Sequence, residues 1–171
     1  MKRLTLVRHA KSSWKDRTLD DSQRPLSRRG EQDAPKMGAR LLARKARPSL
    51  IMSSPAARAL ATAKLITDTL GYPTEFLQVE PRLYLATPKE MLALIAGQED
   101  NFSDLLLVGH NPGMTELANR LVPGLRLDNL PTAGVVAMDF QTRKWSELPA
   151  TRGELAFYDY PKNPELLLIE D

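Results

Sequence analysis

The chain contains no cysteine and only two histidines among its 171 residues. The missing thiols exclude disulfides, thiolate nucleophiles and cysteine-based zinc sites, and they agree with a reducing, cytoplasmic setting. Two histidines fall short of the three protein ligands of a catalytic zinc and the four of a structural one, and their neighbours are arginines that repel a dication. No metal and no other cofactor is therefore expected. Long apolar runs are also lacking: nothing approaches the roughly 20 residues that span a bilayer. Met1-Lys2-Arg3-Leu4 passes straight into a strand pattern without a cleavage site, so no membrane association is expected. Charge of one sign is scarce too. The formal net charge is +3, mixed along the chain without a basic block or interleaved aromatics, which excludes the usual footprint of a nucleic-acid partner and suits a small anionic group.

What is present is ordinary globular material, 42% hydrophobic and 26% charged, with no repeat and no low-complexity stretch. This length fits one domain over 1–171, large enough to bury roughly 70% of the surface its unfolded chain exposes.

Strand patterns alternate with helical ones, the mark of crossover units in an α/β sheet. Strands are expected near 2–8, 49–53, 75–79, 104–109, 134–140 and 154–159. A helix is expected over about 27–44, with Pro35 removing one internal bond. Ser54-Pro55 reads as an N-cap followed by proline, opening a helix that Gly71 stops. Thr87-Pro88-Lys89-Glu90 reads as a capping box, and Asn111-Pro112 as the start of a helix ending at Pro123-Gly124. Val135 to Phe140, followed by Gln141-Thr142-Arg143-Lys144 and Trp145, suggests an antiparallel hairpin. The expected fold is a three-layer α/β/α sandwich with a mostly parallel central sheet and an antiparallel strand or hairpin near the C-terminus. The polar stretch from Lys11 to Pro25 is long for a loop and reads as a lid facing the substrate.

Both histidines end apolar strand patterns, Leu4-Thr5-Leu6-Val7-Arg8-His9 and Leu105-Leu106-Leu107-Val108-Gly109-His110. Ligands of open α/β sheets bind beyond the carboxyl ends of the strands, so two such imidazoles can share one crevice. Arg8 and Arg58 add planar guanidinium forks that match phosphate oxygens, and two helix N-termini are expected to aim open N–H groups at the same place. Neutral imidazole is a competent nucleophile toward phosphorus. A positive surrounding lowers its pKa and keeps one ring nitrogen free. His9, Arg8, Arg58 and His110 are the expected catalytic set. Lys11, Ser12, Glu80, Asn111 and Thr132 are the expected substrate contacts around it, although Thr132 fits a turn equally well and Trp14 either lines the entrance or covers the core.

Leu6-Val7-Arg8-His9-Ala10-Lys11-Ser12-Ser13-Trp14 resembles the Arg-His-Gly/Ala segment of the histidine phosphatase (phosphoglycerate-mutase-like) superfamily. Pro25 to Gly30, Ser53 to Ala63 and Leu107 to Pro112 follow in the family's order. The resemblance implies a phosphatase in which His9 becomes phosphorylated and is then hydrolysed, with Arg8 and Arg58 on the phosphoryl oxygens and His110 completing the pocket. Asn111-Pro112-Gly113 after the second histidine is most similar to the SixA-type branch, which acts on phosphohistidine in proteins. Where mutases and ester phosphatases carry an acidic residue, register places Pro81, with Glu80 one position away. Lys15 stands where mutase-like members often have asparagine. Alcohols leave poorly without a proton donor, whereas an imidazole can leave after protonation on its own ring, so a P–N substrate is favoured. Two alternatives stand beside the phosphohistidine phosphatase: a phosphatase for small phosphate monoesters, and a non-catalytic phosphate or phosphoprotein binding module.

Overall fold

In the computed structural model of the chain, residues 1–164 are described, and 165–171 of the expected 1–171 unit lie outside the described residues. Six strands form one mixed sheet: β1 (Lys2–Arg8), β2 (Leu50–Ser53), β3 (Gln78–Val79), β4 (Asp104–Gly109), β5 (Val135–Phe140) and β6 (Glu154–Asp159). Their spatial order is β3-β2-β4-β1-β5-β6. The first four run parallel, and β5 turns antiparallel against β1. Period-2 alternation explains the layers. Leu4 and Leu6 pack with Leu105, Leu107 and Met52 on one face, against α3 (Pro88–Ala96) and α4 (Gly113–Leu121). Val7, Leu106, Val108 and Ile51 point the other way, onto α1 (Arg28–Ala43) and α2 (Ala57–Leu70). Each such fully buried aliphatic side chain contributes about 1.5–3 kcal/mol. The three-layer α/β/α expectation matches this arrangement.

Four local expectations are corrected. The segment after β5 does not turn back at Trp145: Trp145–Ala150 is a 3₁₀ stretch, and the antiparallel partner of β5 is Glu154–Asp159. Trp145 is fully buried, its indole donating to the Phe102 carbonyl at 2.8 Å, and that burial pulls the chain under the sheet instead of along it. The strand near 75–79 shrinks to Gln78–Val79, preceded by a 3₁₀ turn at Thr74–Phe76. Pro73 and Pro81 bracket the segment and limit it to a short edge pairing. Ser54 does not cap α2, which starts at Ala57. Its hydroxyl is engaged by a buried imidazole, described below. Asn111 lies one residue outside the α4 cap position, Pro112, yet its Oδ1 still accepts the Thr115 N–H at 3.2 Å.

The base of the 11–25 loop is closed like a zipper. Ser13 N–H donates to the Pro25 carbonyl at 2.8 Å, Ser27 N–H donates to the Lys11 carbonyl at 2.8 Å, and Ser12 pairs with Leu26. Ser27 also caps α1 by accepting from Gly30 N–H. The α1 N-terminus lies so close that a Cβ on Gly30 would stand 2.2 Å from the Lys11 carbonyl oxygen. Gly30→Ala is therefore expected to lower stability by about 1–3 kcal/mol, read by urea denaturation, and to make the 11–25 loop more open to limited proteolysis.

Candidate active site

Parallel pairing of β1 with β4 sets Arg8 opposite Gly109. His9 N–H continues the ladder to the Gly109 carbonyl at 3.0 Å. The residues that follow each strand are thus neighbours, and the His9 and His110 rings lie 5.2 Å apart between centroids, tilted by 58°. β2 joins them: Ser54 N–H donates to the Val108 carbonyl at 3.0 Å, bringing the start of α2 and Arg58 to the same strand ends. All four members of the expected catalytic set meet here.

The hydrogen bonds fix the state of each ring. His9 Nδ1 lies 2.7 Å from the Ala10 carbonyl, which can only accept, so Nδ1 carries the proton and the Nε2 lone pair is free. Arg58 Nε–H approaches that lone pair at 3.4 Å. The Ala10 carbonyl is held in turn, because Ala10 N–H donates to Thr62 Oγ1 at 2.9 Å and Thr62 sits one helical turn beyond Arg58. His110 Nε2 meets Ser54 Oγ at 2.7 Å, while its Nδ1 faces Arg58 Nη2 at 3.5 Å. A hydroxyl both donates and accepts, so Ser54 supports either neutral tautomer of His110. His110 can then turn a lone pair or an N–H toward the pocket.

Both rings are buried, His9 at 8% and His110 at 3% exposure. Burial pushes the His9 imidazole down to about 4, against its bond to Ala10 and assisted by Arg58, Arg8 and Arg24. Burial pushes His110 down to about 3, assisted by His9 and Arg58 and opposed by Asp21. Both are neutral at physiological pH, as a nucleophile requires. Arg8 donates from Nη1 to the Leu130 carbonyl at 2.9 Å, and its Nε is buried without a hydrogen-bond partner. A buried unpaired donor is a site an oxyanion can satisfy.

The expected substrate contacts separate into groups. Asn111 adjoins the pocket but spends its amide on structure, with Nδ2 donating to Asn129 Oδ1 and the Leu130 carbonyl, both at 3.0 Å. Ser12 Oγ accepts from Arg24, and the Lys11 side chain is exposed while its carbonyl serves the lid zipper. Glu80 grips Arg82 in a two-point ion pair, at 2.9 and 3.1 Å, and that pair holds its carboxyl below the usual carboxylate range. An ionised Glu80 accepts hydrogen bonds from Arg82 and has no proton to offer a leaving group. Thr132 lines a separate cavity of about 220 Å³ with Arg29, Asp33 and Tyr160. The α4 N-terminus is not an open anion site either, because Met114 N–H donates to the His110 carbonyl and Thr115 N–H to Asn111.

The structure adds residues that the pattern analysis missed. Asp21, within the lid, accepts from Arg58 Nη2 at 2.9 Å and from the Tyr84 hydroxyl at 2.5 Å. Tyr84 stands edge-on to His110 at 5.4 Å. Two non-glycine residues with positive φ adjoin the site, Leu85 (φ 50) after Tyr84 and Ala133 (φ 59), whose N–H donates to the His9 carbonyl. Such strain persists where surrounding contacts over-determine it. Among the described residues no group of three His, Asp or Glu side chains is placed to hold a metal ion.

Two imidazoles and two guanidinium groups thus gather at the carboxyl ends of a mostly parallel sheet in an α/β protein. The histidine phosphatase superfamily (branch 1) model matches residues 4–83, which hold His9 and Arg58. An uncharacterized chloroplastic protein of Arabidopsis thaliana is 32% identical over 160 residues, spanning 89% of this chain and 72% of its own. The chain belongs to the histidine phosphatase superfamily. Its structure is similar to that of an Agrobacterium tumefaciens protein proposed to be the phosphohistidine phosphatase SixA, with TM-score 0.78 and 27% identity over 94% of this chain and 98% of that one. The fold of a protein histidine phosphatase SixA complexed with tungstate is equally similar, TM-score 0.78 at 22% identity over 93% and 97% of the two chains.

The depressed imidazole pKa values bear on stability. Below pH 6.5 the unfolded chain binds protons at both histidines while the folded chain does not, so stability falls as pH drops and goes on falling until about pH 4 for His9 and about pH 3 for His110. By pH 5 the loss should reach about 2 kcal/mol per imidazole. Urea denaturation at pH 7 and pH 5 measures it, and replacing His110 by Gln should remove part of the slope.

Proposed function

We propose that the chain is a metal-independent phosphatase that works through a covalent phosphohistidine at His9, and that its substrate is a protein carrying phosphohistidine in the cytoplasm. The observation that carries this reading is the His9 tautomer: the Nδ1–H bond to Ala10 leaves the Nε2 lone pair beside Arg58 and facing the His110 side of the pocket. Nε2 attacks phosphorus, a new N–P bond forms, and the substrate's own N–P bond breaks. The departing imidazole carries its electron pair on one ring nitrogen and takes a proton from solvent. Water then attacks the phosphorus held on His9, the Nε2–P bond breaks, and phosphate leaves. Arg8 and Arg58 meet the charge that spreads over the equatorial oxygens, the dominant demand of phosphoryl transfer. Once a phosphoryl oxygen replaces the Arg58 Nη2 contact at His110 Nδ1, the tautomer with Nδ1 protonated and Ser54 donating to Nε2 lets His110 add a donor to the same oxygens.

Support for a P–N substrate comes from the leaving-group side. The family resemblance puts Pro81 at the place of the acid, and the two-point pair with Arg82 keeps Glu80 ionised. Neither can protonate an alkoxide, and an imidazole leaving group needs no such help. Among the described residues no helix is long and apolar enough to cross a membrane, which suits a protein substrate met in solution.

Incubation with a phosphodonor should label His9 with an acid-labile, base-stable phosphoryl group that peptide mapping locates. His9→Ala should abolish label and turnover, and Arg58→Ala should lower turnover by about 10²–10³, both insensitive to chelators. The acid limb of kcat/KM, which reports the free enzyme, should fall near pH 4 and not near 6.5. Faster turnover of phosphomonoesters than of phosphohistidine at matched intrinsic reactivity would favour the small-ester alternative. Oxyanion binding without label would favour the binding module.

A further inference from the structure

Arg58 has five N–H donors, and the structure divides them between two sides. On the inner side, Nε faces His9 at 3.4 Å and Nη2 faces His110 at 3.5 Å, both long contacts that an incoming phosphoryl oxygen can replace. On the outer side, Nη1 donates to the Asp21 carbonyl at 2.6 Å and Nη2 donates to Asp21 Oδ2 at 2.9 Å. A single lid residue thus grips the outer edge of the fork with backbone and side chain together.

Asp21 is itself restrained from two directions. The Tyr84 hydroxyl donates to Oδ2 at 2.5 Å, and Arg24 Nη1 donates to Oδ1 at 3.1 Å. Arg24 is buried, bonds the Ser13 carbonyl and Ser12 Oγ, and lies 3.3 Å from the centre of the Trp14 ring. The lid zipper, the Trp14–Arg24 stack and Tyr84 therefore converge on one carboxylate.

We propose that Asp21 is a positioning residue for the phosphoryl pocket: its carboxylate holds the outer edge of Arg58 so that the inner donors face the space between His9 and His110. The identity of the occupant rests on the phosphatase reading, whereas the alignment of Arg58 does not. A competing role is that of an internal anion which an oxyanion must expel, and the geometry argues against it. The inner donors stay open with Asp21 in place, so oxyanion and carboxylate use different hydrogens of the same fork. The Asp21 side chain is 45% exposed, and water weakens its repulsion of the oxyanion. Arg58 is 5% exposed, and a buried fork that loses its partner finds no solvent in the same geometry to replace it.

The two roles predict opposite signs for tungstate binding by the full chain, measured by calorimetry. Asp21→Ala should weaken tungstate affinity by about 10- to 100-fold, with Asp21→Asn recovering part of the loss through its remaining acceptor oxygen. On a phosphohistidine substrate kcat should fall more than KM rises, because the Arg58 grip counts most on the transferring group. Tyr84→Phe should shift binding in the same direction, and the double variant should be no worse than Asp21→Ala, since Tyr84 acts through the carboxylate. Unchanged or tighter tungstate binding in Asp21→Ala overturns the proposal. A wild-type chain that binds tungstate yet turns over no phosphorylated substrate defeats the phosphatase reading alone, and one that binds no tungstate defeats both.

Discussion

The adjacency of β1 and β4 is the constraint on which the rest of the site depends. Parallel ladders are continuous, so pairing Arg8 with Gly109 leaves the next residue of each strand no choice but to be neighbours. Two histidines a hundred residues apart become a pair through backbone hydrogen bonds that involve no imidazole atom. Once paired and buried, they lose protons to the medium, and their low pKa values follow from the burial that the sheet imposes. The guanidinium groups act on a geometry that the backbone has already settled.

Around this pair the chain uses one supporting contact for each reactive atom. Thr62 holds Ala10, Ala10 holds the Nδ1 proton of His9, Ser54 holds His110, and Asp21 holds Arg58. Thr62 comes from α2, Ser54 from the junction of β2 with α2 and Ala10 from the end of β1, and the fourth support comes from the 11–25 loop. The arrangement keeps a nucleophilic lone pair, a second donor and a cationic fork at one small opening. The common effect of these contacts is to remove rotamer freedom before any ligand arrives, which is where preorganised electrostatics obtains its advantage over water.

The residues that meet at the strand ends were legible in the sequence because they terminate periodic patterns: an apolar strand run that stops at a histidine marks the carboxyl end of a strand, and Arg58 opens a well-patterned helix. Their supports were not legible. Ser54 reads as a helix cap because Ser-Pro before an alanine-rich helix has that meaning locally, and only the buried His110, far away in sequence, reassigns its hydroxyl. Asp21 is one of several acidic residues in a polar loop without periodicity, and its partners Arg58 and Tyr84 are 37 and 63 residues distant. Trp145 likewise looks like the start of a strand until the space under the sheet claims it. Long-range polar pairing and core volume decided these cases, and neither leaves a mark on local pattern.

The backbone of His9 is fastened on both flanks, its N–H to Gly109 in β4 and its carbonyl by Ala133 ahead of β5. His9 therefore stands on a rigid shelf between two strands, with its ring pinned by the Ala10 carbonyl. The 11–25 loop is fastened separately, at its base, by the Ser13–Pro25 and Lys11–Ser27 backbone bonds. Because Asp21 of that loop grips Arg58, a change in loop length or composition reaches the guanidinium beside His9 as well as the rim of the site.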